Sequence, residues 1–121
     1  MSDAVETAID RATFDGMLDA VGGDPGFLAE LVDAFADDAP AQVAAMRTAL
    51  ATGDATIVGR GAHTLKSSAA SLGALRLTEL CRSLEAQARD GQLEGAGAAI
   101  DEIERAAVEA VAELRSLTAA T

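Results

Sequence analysis

Apolar residues in this chain return every three or four positions, in long runs broken by glycine-containing turns. That spacing belongs to amphipathic helices burying one stripe each, and it excludes the alternation of half-buried strands. The side-chain vocabulary agrees: aromatics are 2% of the chain, while the strong helix formers Ala, Leu, Glu and Arg are abundant. A length of 121 residues suits one domain with one modest core.

The runs can be followed in order. Residues 1–10 mix acidic and small side chains without an apolar face and are expected to form a frayed lead-in, with the domain spanning 11–121. Thr13 is the expected N-cap of a short helix carrying Phe14, Met17, Leu18 and Val21, stopped by Gly22 and Gly23. Asp24 and Pro25 open the next helix, whose stripe is Phe27, Leu28, Leu31, Val32 and Phe35, then Val43, Met46 and Leu50. Pro40 lacks a donor and clashes with the preceding turn, so a kink or restart is expected near Asp38–Pro40.

A third run extends from Asp54 to Gly73, and a fourth carries Leu77, Leu80, Cys81, Leu84 and Ala88 up to Gly91. Gln92 to Gly97 reads as a loop, and Ile100, Ile103, Ala107, Ala110, Leu114 and Leu117 mark a last long helix. The expected fold is therefore all-α, an antiparallel up-down four-helix bundle with a short extra N-terminal helix alongside.

Charge and cysteine content narrow the function. A net charge of -11 with no basic stripe argues against nucleic acid as a partner. Cys81, the single cysteine, sits on an apolar stripe and reads as core filler; a cytoplasmic location is the simplest expectation. The first residues lack the basic start and apolar run of a signal peptide, and no stretch approaches ~20 apolar residues, so no membrane association is expected. Acidic residues on the last helix, such as Glu102, Glu104 and Glu109, read as a solvated face.

The third run holds the chain's one histidine, His63. On a helical wheel at ~100° per residue, Ile57, Val58, Gly61, Leu65, Ser68, Ala69 and Leu72 fall opposite it, so His63 is expected to face water. Gly59, Arg60, Lys66, Ser67 and Ala70 lie beside it, all small or cationic. A neutral imidazole can attack phosphorus and form a covalent adduct. Lys66, one turn on, is placed to offset charge on phosphoryl oxygens, and Arg60, one turn back, to assist. Small residues at 59, 67 and 70 leave a shallow surface for a partner to reach the ring. Gly61, on the core face, is expected to admit a neighbouring helix.

The stretch Ala62-His63-Thr64-Leu65-Lys66-Ser67-Ser68-Ala69-Ala70-Ser71-Leu72-Gly73 resembles the signature of histidine phosphotransfer domains, typically A-H-x-L-K-G-S followed by a hydrophobic residue and glycine. Ser67 stands where many members have glycine. The resemblance continues through Leu80 to Glu85 and Phe27 to Leu50, most of the chain. It implies a four-helix bundle whose exposed histidine, here His63, accepts phosphate and donates it onward, with Lys66 as the phosphoryl-facing cation. It also implies a carrier without kinase or ATP-binding activity and without a cofactor of its own, Mg²⁺ coming from the partner. The implied partners are receiver domains of response regulators and of a hybrid sensor histidine kinase; a monomer is expected separately, because nothing beyond the four apolar stripes calls for self-association. Two other classes compete with this reading: an interaction bundle with an incidental histidine, and a metal-binding bundle, which would aim Glu-x-x-His motifs into its core.

Overall fold

The computed structural model describes residues 8–121, and among these it contains five helices and no strand. They are α1 (Arg11–Ala20), α2 (Pro25–Ala51), α3 (Ala55–Ser71), α4 (Leu75–Arg89) and α5 (Ala96–Ala120). Tight turns make successive helices antiparallel. After α2, Asp54 N–H donates to Ala49 O and Gly53 N–H to Leu50 O, with Gly53 at φ +71°; after α3, Ala74 and Gly73 repeat the pattern onto Ala69 and Ala70. These bonds satisfy carbonyls the helix ends leave open, and the left-handed residue they require is why glycine stands at both places. Asp54 serves both helices, since its carboxylate also caps α3 by accepting from Ile57 N–H at 3.1 Å.

The helices close into a ring in which α2 packs on α3, α3 on α4, α4 on α5 and α5 on α2. Leu28, Val32, Met46, Val58, Leu65, Leu77, Leu84, Ile100, Ile103 and Leu114 are buried at its centre. Alanines at 39, 49, 62, 69, 88, 107 and 110 fill the seams and let backbones approach closely. The lengths are unequal: α2 has 27 residues and α5 25, against 17 for α3 and 15 for α4. The start of α2 therefore runs past the end of α3. α1 begins at that end, where Asp10 N–H donates to Gly73 O at 2.7 Å, and it buries Phe14.

Several sequence expectations are corrected here. Asp10, not Thr13, caps α1: its carboxylate accepts from Thr13 N–H at 3.1 Å and from Thr13 Oγ1 at 2.6 Å, which holds the Asp10 carboxyl below its ordinary value. Residues 8–10 are not frayed. Ile9 is buried in the core, and the backbone N–H groups of Ala8 and Ile9 both donate to the Glu113 carboxylate at 3.1 Å. The rest of the expected lead-in, residues 1–7, lies outside the described residues. α2 does not restart at Pro40 but runs through it as one helix. Pro40 is on the exposed side, where water can serve the carbonyl left without its donor, while Phe35, Ala39, Val43 and Met46 anchor the helix on both sides. Phe27 and Leu31 are exposed although Leu28 and Val32 at the same level of α2 are buried, so the buried stripe there is narrower than the apolar one. The fourth loop is shorter than expected, α5 starting at Ala96.

Candidate functional site

Which way His63 points is decided by what α3 buries. Val58, Gly61, Ala62, Leu65 and Ala69 face the core, leaving the His63 side chain 59% exposed on the outer face between α3 and α4. The buried stripe is rotated toward α4 relative to the wheel: Ala62 is buried, whereas Ile57 and Ser68 are exposed. Two glycines make that placement possible. A Cβ on Gly61 would lie 2.6 Å from Met46 Cγ of α2, and one on Gly59 would lie 3.3 Å from Ala88 Cβ of α4. Gly61 therefore admits a neighbouring helix as expected. Gly59, which is partly exposed, admits α4 in the same way.

The close approach of α4 brings in Glu85, which the reading of α3 alone missed. Its Oε2 lies 2.9 Å from His63 Nδ1, its Oε1 2.6 Å from Lys66 Nζ, and Arg89 Nη2 stands 3.6 Å from Oε2. The Glu85 side chain is 14% exposed. Its carboxyl is held below its ordinary value, first by the hydrogen bond from Lys66 and then by that from His63, with burial opposing both. It is thus a carboxylate at neutral pH and can only accept hydrogen bonds, so Nδ1 must carry the ring proton. In the neutral ring the lone pair then resides on Nε2. Glu85 was reachable from sequence only as an acidic residue flanking the Cys81, Leu84, Ala88 stripe; its pairing with His63 depends on the register of α4 against α3, which no pattern within either helix encodes.

The remaining residues singled out from the sequence are distributed around this pair. Lys66 is one turn from His63, but its ammonium is engaged by Glu85. Arg60, Ser67 and Ala70 are exposed on the His63 face, and no ion-pair partner of Arg60 is found among the described residues. Cys81 is fully buried; burial, with the Glu85 charge adding and Lys66 opposing, pushes its thiol up to about 12, which suits core filler and not a nucleophile. Glu104 and Asp101 each hold Arg47 at 2.8 Å, and Glu102 meets Arg76 at 3.5 Å, so part of the acidic face of α5 ties helices together. Among the described residues no three His, Cys, Asp or Glu side chains are grouped to hold a metal, and no helix is long and apolar enough to cross a membrane.

Comparison with known proteins gives a consistent set of findings. The family model described as Hpt domain matches residues 30–117. The fold is similar to the crystal structure of histidine-containing phosphotransfer protein B from Pseudomonas aeruginosa PAO1, with a TM-score of 0.85 at 24% identity, covering 97% of this chain and 99% of that one. No curated protein matches the sequence.

Proposed function

Because this chain belongs to the Hpt domain family, and so is a histidine phosphotransfer protein of phosphorelay signalling, we propose that His63 Nε2 is the atom that carries the phosphoryl group. One observation supports this choice above others: Glu85 occupies Nδ1 at 2.9 Å while the ring remains 59% exposed, which leaves Nε2 as the free nucleophilic nitrogen.

In the forward step the Nε2 lone pair attacks the phosphorus of a phosphorylated receiver aspartate. The N–P bond forms as the bond from phosphorus to the aspartyl oxygen breaks, and the aspartate leaves as a carboxylate with that electron pair. The ring becomes a phosphoimidazolium that keeps its Nδ1 proton, and the Glu85 carboxylate offsets the positive charge it gains. Donation to a second receiver reverses these events. Lys66, held 2.6 Å from Glu85, stands at the edge of the site to offset charge on the phosphoryl oxygens, while Arg60, Ser67 and Ala70 border the approach. Mg²⁺, supplied by the receiver, would offset phosphate charge during transfer. The protein carries phosphate and is not itself a kinase; on this reading it binds no ATP, works as a monomer in the cytoplasm, and meets receivers of a response regulator and of a hybrid kinase.

The test is transfer from a phosphorylated receiver domain to wild type and to His63→Gln. Acid-labile, alkali-stable label on wild type only, with equal helicity by circular dichroism, is expected. Equal label on His63→Gln, or none on wild type across a panel of receivers, contradicts the proposal.

A further inference from the structure

The charge of this protein is unevenly divided among its helices. α3 and α4 together carry five cations, Arg60, Lys66, Arg76, Arg82 and Arg89, against two carboxylates, Glu79 and Glu85. α2 and α5, which form the opposite side of the ring, carry nine carboxylates against three cations. A surplus of three positive charges thus lies on one pair of helices in a chain whose net charge is -11.

Within α4 the cations are not scattered. Arg82 and Arg89 stand three residues before and four after Glu85, so they share the face of α4 that touches His63. Both are exposed, at 57% and 71% of the side chain. Arg82 pairs with Glu79 and Arg89 reaches Glu85 at 3.6 Å, contacts that exposed side chains exchange at little cost. With Arg60 on α3, they place guanidinium groups on both flanks of the histidine.

We propose that Arg82 and Arg89 of α4 complete the docking surface around His63, recognising an acidic rim on the incoming receiver domain. This rests on the carrier reading above and adds to it the residues of the second helix and the chemistry of the partner face. Charge complementarity selects the occupant: an acidic partner is attracted to the α3–α4 face and repelled by the α2–α5 face, so encounters are turned toward His63 before contact. Rim cations of this kind act on the association rate more than on the chemistry that follows.

The experiment compares wild type, the double variant Arg82→Gln/Arg89→Gln, and Arg115→Gln on the far face, using a phosphorylated receiver domain that labels wild type. The second-order transfer rate constant is measured between about 0.02 and 0.2 M salt, where the screening length shortens severalfold. The double variant is expected to lose about tenfold in that constant at low salt and much of its salt dependence, with Arg115→Gln matching wild type. Unchanged rates and salt slope in the double variant, or an equal loss in Arg115→Gln, would overturn the assignment of α4 while leaving His63 as carrier. Failure of every receiver to label wild type would instead remove the carrier reading, and this proposal with it.

Discussion

At the scale of single residues, the contact between Glu85 and His63 organises the site, and its consequences are separable. Glu85→Gln keeps an acceptor for the Nδ1 proton but removes the charge. Hydrogen bonds to charged groups exceed neutral ones by roughly 1 kcal/mol, so transfer to His63 is expected to slow about five- to tenfold, and Glu85→Ala to slow it further; single-turnover rates check both. The pH dependence has a definite sign. The Glu85 carboxyl lies below its ordinary value of 4.5 in the folded protein, so the stabilisation it contributes is complete above that pH and is lost as pH falls through the folded value. The difference in Tm between wild type and Glu85→Gln should therefore shrink in acid and be flat at neutral pH and above. His63 and Lys66 were legible in the sequence because they sit one turn apart on one helix. Glu85 was not, because 22 residues and a turn separate it from His63, and the contact exists only once α4 has docked.

At the scale of helices, the turns were the most legible features. Asp24 and Asp54 start helices, and Gly53 and Gly73 end them, by local hydrogen bonds that sequence alone encodes. The limits of buried stripes were less so, since burial depends on what lies alongside: Phe27 and Leu31 continue the α2 periodicity perfectly well but remain exposed while their neighbours Leu28 and Val32 are buried. Pro40 likewise obeys its local rule in losing a bond, yet flanking core contacts carry the helix through it. Pro40→Ala should restore the donor and relieve the clash, raising stability by about 1–3 kcal/mol in urea or guanidinium unfolding. Gly61→Ala tests the opposite case. The new Cβ would meet buried Met46 at 2.6 Å, and overpacking of about 1–3 kcal/mol outweighs the gain in helix propensity, so Tm should fall.

At the scale of the molecule, one cooperative core ties the N-terminal segment to the bundle. Ile9 is buried and its backbone is held by Glu113 of α5, so Ile9→Ala should cost about 2–4 kcal/mol, read as a lower denaturant midpoint, despite lying more than 50 residues from His63 in sequence. Cys81 reports the same unfolding from the centre. Its thiol is buried and raised to about 12, so it should resist alkylation at pH 8 until the bundle opens globally. The sequence contains a single histidine, which makes the central claim directly measurable. Nitrogen-15 NMR of the histidine-labelled protein, before and after phosphorylation by a receiver, resolves one ring. The account predicts a proton on Nδ1 in both states and phosphorus on Nε2 in the second; phosphorus on Nδ1, or a ring left unmodified while the protein takes up label elsewhere, would contradict it.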